Sequence, residues 1–122
     1  MRNLWGRRGH ATADYLTAPL LFLLARRAGL RGPALTWAGR FAGLILLAVT
    51  TTRTPLGLVR VVPFRLHGHA ELASVGVQLA LPWLAHFAGD RRARRFFLAF
   101  AAYNLLIWRA TDWEAPERPC PA

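Results

Sequence analysis

An all-α integral membrane protein, a four-helix bundle built from two parallel-repeat helical hairpins, is the fold class this sequence predicts. Three observations predict it. The chain is 54% hydrophobic yet carries a formal net charge of +10, and all sixteen of its basic residues are arginines. Globular chains hold about 45–50% apolar residues with glycine counted; glycine is not counted in the figure here. The arginines stand in clumps between four apolar stretches, which is a membrane pattern, and they depress the mean hydropathy to +0.24. The stretches run from about Ala11 to Ala25, Ala34 to Thr52, Gly68 to Ala88 and Phe96 to Ala110. The third observation is an internal repeat. At 122 residues there is room for one domain, read as 1–122, with repeat one at about 10–55, repeat two at about 67–114 and a Pro-rich tail at 115–122.

The first stretch follows Arg2, Arg7 and Arg8 as a signal peptide would. Asp14, Tyr15 and Pro19 interrupt it, however, and no small-x-small cleavage site precedes Arg26, so it is read as a retained helix. A span needs about 20 residues, with a lower limit near 17. The first and fourth stretches reach that length only if Arg26, Arg27, Arg94 and Arg95 extend the helices and snorkel into the interface. The runs Leu20 to Leu24 and Phe41 to Val49 leave no polar stripe at the helical period, which a soluble bundle needs. Short connections at Arg26 to Pro33 and Gly89 to Arg95 predict two antiparallel hairpins.

The middle connection, Thr54 to Leu66, is hydrophobic around Arg60 and Arg65, and Pro63 prevents a long helix there. It is expected along the membrane interface with the two arginines among lipid phosphates; an ordinary loop on the bundle end is the alternative. The five tryptophans fall near span ends and read as interfacial anchors, with Trp37 and Trp83 open to burial instead. His86 reads as interfacial. Arg40, inside the second helix, is expected to snorkel outward or pair with Asp90. The polar tail from Glu114 onward is expected to fray.

Sliding the chain by 57 positions aligns His10 with His67, Asp14 with Glu71, and Arg31-Gly32 with Ala88-Gly89. A shift of 59 aligns Thr52-Arg53-Thr54-Pro55 with Thr111-Asp112-Trp113-Glu114, the two extra residues being placed in the Arg91 to Arg95 loop. Two helices per unit make the repeats parallel. His10, Asp14, His67, His69 and Glu71 then open the odd helices, while Thr52, Thr54, Thr111 and Asp112 close the even ones, all at one membrane surface.

The stretch TRTPLGLVRVVPFRLH from Thr52 to His67, followed by Glu71 and Pro82-Trp83, resembles the middle of the bacterial SPW-repeat integral membrane proteins. Those proteins are similar in length, have four predicted helices, open each repeat with His-x-x-x-Asp and carry a Ser-Pro-Trp further along. The resemblance covers His10 to Glu114 and is most specific in the middle segment. Leu81-Pro82-Trp83 stands for Ser-Pro-Trp, Ala25-Arg26 occupies the Pro-Trp offset of repeat one, Glu71 replaces Asp, and Arg53 stands where an acid is usual. The resemblance implies a duplicated hairpin in the bacterial inner membrane, multi-pass, and implies no activity.

The two His-x-x-x-acid pairs are the candidate chemistry. Four residues apart on a helix, each His and acid share a face roughly 6 Å apart along the axis. Converging from parallel helices, His10, Asp14, His67 and Glu71 form a polar cluster, with Thr54 and Arg65 close enough to bond to it. In the structural reading the cluster holds the hairpins together, with one acid bonded to a His or Arg of another element. In the alternative the same four residues ligate a metal ion, His10 and His67 hold a haem axially, or the cluster serves a proton or ion path. No c-type haem motif is present, no cofactor is expected, and Cys120, the single cysteine, excludes a disulfide or thiolate zinc framework.

No nucleophile stands beside a base and no Gly-rich phosphate loop occurs, so no catalytic residue is named. Nucleic acid is excluded as a partner because the arginines divide between both membrane sides. Anionic lipid headgroups are the expected partner, with Arg60, Arg65, Arg91, Arg92, Arg94 and Arg95 as candidate contacts; self-association stays open. Both termini fall on one side, weakly favoured as cytoplasmic by the arginine distribution. The sequence thus points to a structural or interaction module, with metal or haem binding or proton or ion transport as the alternative.

Overall fold

The computed structural model describes residues 4–117; Arg2, Arg118 and Cys120 lie outside them, as does most of the tail. Four helices form, α1 (Arg7–Arg27), α2 (Gly32–Thr51), α3 (Phe64–Leu84) and α4 (Arg91–Ala110), and no strand among the described residues. The fold class is therefore all-α with four helices. Arg26, Arg27, Arg94 and Arg95 all belong to helices. By length and composition α2 alone, among the described residues, is apolar enough to cross a membrane.

The duplication is built into the helix bounds. Both ends of α1 map onto α3 at an offset of 57, and both ends of α2 map onto α4 at 59. The two added residues lie between Leu84 and Arg91, not at Arg91 to Arg95, which open α4. There Asp90 caps the helix, its carboxylate accepting from the Arg92 and Ala93 amides at 3.1 and 3.2 Å. The expected Arg40 to Asp90 pair is absent, because Asp90 is engaged in capping and the Arg40 guanidinium lies over the Trp37 ring at 4.7 Å.

The odd helices end alike. Leu30 N–H bonds Ala25 O and Gly29 N–H bonds Arg26 O, both at 3.0 Å, which closes α1 with a left-handed residue, Gly29, at φ +80°. In α3 Phe87 N–H bonds Pro82 O at 2.8 Å and His86 takes the glycine's place at φ 61°. His86 is thus a strained helix terminator rather than a mere interfacial side chain.

The even helices end by receiving the strand of chain that precedes an odd helix. Val61 and Val62 amides donate to Thr51 O at 3.1 and 2.9 Å, and Arg53 N–H donates to Val62 O at 2.9 Å. In the other half Leu4 and Trp5 amides donate to Ala110 O at 2.6 and 3.3 Å, and Asp112 N–H donates to Trp5 O at 2.9 Å. Carbonyls that a helix terminus leaves open are so satisfied by backbone. The connection runs only to Pro63, since Phe64 to Leu66 are already α3. Arg60 turns back to bond Gly57 O and Pro55 O at 3.1 and 3.0 Å, while Leu58, Val59 and Val61 are exposed. The start of the tail is docked rather than frayed: Ala115 is buried and its carbonyl accepts from Arg7 Nε at 2.9 Å.

α1 packs along α2 and α3 along α4, and the two hairpins meet more sparingly, chiefly through α1 and α4. The end of the bundle at the interhelical turns is apolar, with Leu21, Phe41, Leu81, Phe87, Phe97 and Phe100 in one cluster. The opposite end buries polar groups: His10, Asp14, Thr52, His67 and Thr111. Replacing His86 by Gly is expected to raise stability by about 1 kcal/mol, since a left-handed L-residue costs roughly that much or more. Thermal unfolding of the two proteins under the same conditions checks it, and an unchanged or lower midpoint would mean the His86 side chain repays its strain.

Candidate metal centre

His10 sits on the first turn of α1 and His67 on the first turn of α3, and the parallel repeat brings the two rings to 5.1 Å between centroids, nearly perpendicular. Each ring is clamped by the end of an even helix. Thr111 Oγ1 donates to Ile107 O at 2.7 Å, and Thr52 Oγ1 donates to Ala48 O at 2.6 Å. With their only protons engaged, these hydroxyls accept from the imidazoles, Thr111 from His10 Nδ1 at 2.9 Å and Thr52 from His67 Nδ1 at 2.8 Å. Trp5 Nε1 donates to Thr111 Oγ1 as well, at 3.0 Å. The network therefore puts a proton on Nδ1 of both rings and turns both Nε2 atoms inward.

The two Nε2 atoms are 3.3 Å apart. Asp14 Oδ2 lies 3.2 Å from His10 Nε2 and 3.0 Å from His67 Nε2. Glu71 Oε2 lies 3.3 Å from His10 Nε2 but outside hydrogen-bond geometry, and is the one buried side-chain oxygen without a partner among the described residues. Two ring nitrogens and two carboxyl oxygens thus face one another at the buried end of the bundle. Protons or a cation can join them.

Around a tetrahedral ion with bonds of about 2.0–2.1 Å, ligand atoms sit roughly 3.3–3.4 Å from each other. His10, Asp14 and His67 come close to three edges of such a figure, and their ligand atoms all lie within 4.8 Å of one another. Hydrogen bonds from the non-ligating nitrogen to a fixed acceptor are the usual support for ligating histidines. The indole of Trp113 covers the pair, 4.6 Å from His10 and 6.0 Å from His67 between centroids, and packs on Phe64 at 4.7 Å. It lies flush on α3 because residue 68 is glycine: a Cβ there would stand 2.7 Å from the indole. Trp108 Nε1 donates to Gly68 O at 2.8 Å.

Of the expected cluster, the structure brings together His10, Asp14, His67 and Glu71. Thr54 and Arg65 are not part of it. Thr54 is buried in its own turn, accepting from Leu56 N–H at 3.3 Å, and Arg65 pairs with Glu114 on the exposed surface. His69 is exposed. The groups that sequence reasoning missed are Thr52, Thr111, Trp5 and Trp113. Their signal was the alignment of Thr52 with Thr111, both of which directly follow a helix. Trp5, Trp108 and Trp113 are half-buried at this end of the bundle, whereas Trp83 is exposed.

The pair does not fit a haem. Asp14 Oδ2, close to both Nε2 atoms, occupies the space a macrocycle between them would need. No family model matches the chain, and neither a curated protein nor a solved structure matches it.

Thr52→Val and Thr111→Val each remove the acceptor for one buried Nδ1–H. Each is expected to cost about 1–3 kcal/mol and to release its ring from the single tautomer. Imidazole nitrogen NMR shifts should show both rings as Nδ1–H in the ion-free protein. A wild-type ring protonated on Nε2 alone would refute the clamp.

Proposed function

We propose that the protein is a small multi-pass membrane protein whose buried centre binds one divalent transition-metal ion through His10, Asp14 and His67, with Glu71 closing or sharing the fourth position. One observation carries the metal reading: two buried Nε2 atoms and two carboxyl oxygens converge at 3.0 to 3.3 Å, while each ring's Nδ1 is held by a threonine. Two neutral imidazoles, two carboxylates and a doubly charged ion sum to zero, which removes the cost of isolated charges in a low-dielectric interior. Two nitrogen and two oxygen ligands suit zinc in tetrahedral geometry. The ion would also tie α1 to α3 across the hairpins, so the expected structural role and metal binding are served by the same four groups.

The membrane part of the reading is supported by inverted polarity. Large apolar side chains stand exposed on every helix, among them Leu20 and Leu24 on α1, Leu47 on α2, Leu79 on α3 and Leu106 on α4, while His10, His67, Gln78 and Asn104 are buried. A soluble bundle does the reverse. Only 28% of the most apolar stretch of α2 is buried, whereas the core helix of a soluble protein is mostly buried. The arginine-rich ends of α1 and α4 and the exposed apolar connection between α2 and α3 suit anionic headgroups. The motif resemblance to SPW-repeat proteins and a bacterial inner-membrane location belong to this same proposal.

A transmembrane proton or ion path is disfavoured by the packing. Polar groups continue from Glu71 through Ser74 and Gln78 to Asn104, which donates to Gln78 Oε1 at 3.1 Å, and there they stop. Beyond lies the cluster of Phe41, Leu81, Phe97 and Phe100, with no polar side chain among its buried members.

Elemental analysis of protein purified in detergent should find one zinc or comparable ion per chain. Cobalt in its place should show the visible bands of tetrahedral coordination. His67→Ala and Asp14→Asn are expected to lower affinity at least tenfold to a hundredfold, and metal at a thousandfold excess over its Kd should raise stability by about 4 kcal/mol. A folded wild-type protein that takes up no divalent ion would sink the metal centre. Reporter fusions placing the two termini on opposite sides of the membrane would sink the four-span topology.

A further inference from the structure

The repeat relates the side-chain bridge between α1 and α4 to a position between α3 and α2, where the bridge is not made. In the first half Thr17 Oγ1 and Tyr103 OH meet at 2.7 Å and bridge α1 to α4. Their repeat mates are Ser74 and Leu44, offset by the 57 and 59 that relate the helices. Leu44 has no group to meet the Ser74 hydroxyl, and both residues line a cavity of about 580 Å³ that opens between α2 and α3. This lies within the roughly 300–1,000 Å³ of ligand pockets. From Leu66 to Gln78 the α3 wall runs roughly 18 Å at about 1.5 Å per residue. Leu44, Leu47 and Ala48 make the α2 wall apolar, and Asp14, His67 and Glu71 face the cavity at the metal-centre end. The unpartnered oxygen belongs to Glu71, whereas its repeat mate Asp14 is placed against both histidines.

We propose that this cavity binds a single-chain amphiphile with an uncharged hydroxyl head, the chain lying between α2 and α3 and the hydroxyl donating to Glu71. The head chemistry follows from the site. Glu71 Oε2 is an acceptor that lacks a donor, and a hydroxyl supplies one. A carboxylate head has no proton to donate to that oxygen and would set a third acidic group beside Asp14 and Glu71. The chain chemistry follows from the walls, and entry follows from the gap between α2 and α3, which on the membrane reading opens toward lipid. The proposal rests on the metal reading in one respect only: Glu71 would help hold the ion with one carboxyl oxygen and accept from the hydroxyl with the other.

Lauryl alcohol and laurate, added separately to the full chain in a detergent mixture and quantified by native mass spectrometry, test it alongside metal content. The alcohol is expected to be held at one per chain and at least tenfold more tightly than laurate. Leu44→Tyr, which sets a phenol within reach of Ser74 and restores the missing bridge, is expected to abolish alcohol binding while leaving folding and metal content unchanged. Ala48→Phe, which fills the same cavity from α2, is a second variant should the first fail to fold. Glu71→Gln should remove the preference for alcohol over laurate. Equal binding of laurate by wild type, a co-purifying phospholipid that the alcohol does not displace, or undiminished alcohol binding in both cavity variants would overturn the proposal. Metal retained with no alcohol bound defeats the amphiphile alone. Alcohol bound with no metal taken up defeats the metal centre alone.

Discussion

Two imidazole rings meeting inside the bundle are the constraint on which the rest of the structure depends. Each histidine comes from the start of an odd helix, and each is oriented by a threonine one residue past the end of an even helix from the other side of the bundle. Thr52 belongs to the hairpin of His10 yet holds His67, and Thr111 belongs to the hairpin of His67 yet holds His10. The hairpins are thereby cross-tied at one end, in addition to the backbone bonds that dock Leu4 and Trp5 on α4 and Val61 and Val62 on α2. A buried hydrogen bond contributes only about 1 kcal/mol net, but leaving its donor unsatisfied costs more. Helix phase, hairpin register and ring tautomer are therefore fixed together.

Duplication explains why such a centre forms in so short a chain. A single hairpin offers one histidine, one carboxylate and one helix-end threonine, too few for a closed site. Two copies in parallel supply every group twice and place them about a pseudo-twofold axis. The copies then diverge where symmetry would be costly. Glycine ends α1 while His86 ends α3, Asp90 caps α4 with no counterpart on α2, and the bridge from Thr17 to Tyr103 has no second version. The last divergence falls at Leu44 and Ser74, which line the cavity between α2 and α3.

Much of this was legible in the residues. The offsets of 57 and 59 located the duplication, and the His-x-x-x-acid spacing placed four of the site's groups on facing stripes, because a four-residue period is set by the helix itself. The details that escaped depend on phase at helix ends. Thr52 and Thr54 differ by two residues, and only knowledge of where α2 stops decides that Thr52 points at the ring while Thr54 turns into its own loop. Arg65 lies on the first turn of α3, two residues from His67, hence on another face, where Glu114 meets it. Apolar tryptophans near span ends gave no hint that Trp113 would fold back over the histidines, because that contact comes from Gly68, a residue whose use is visible only when something lies against it.

The difference between the two acids is one methylene, and it sets the asymmetry of the centre. Asp14 is short, stays near its own helix, and brings Oδ2 within 3.2 and 3.0 Å of the two nitrogens. Glu71 starts from the repeat-related position on α3 and reaches further, so its oxygen stands beside His10 alone and borders the space between α2 and α3. Two aspartates would have crowded like charges onto the midline, where they repel; two glutamates would have left the nitrogens without a common oxygen. One of each gives a group that joins the histidines and a group that remains available, and the available one is on the side where the repeat has opened. The far end of the bundle is closed by phenylalanines and the near end is covered by Trp113. Asp14, His67 and Glu71 therefore face sideways into the cavity between α2 and α3.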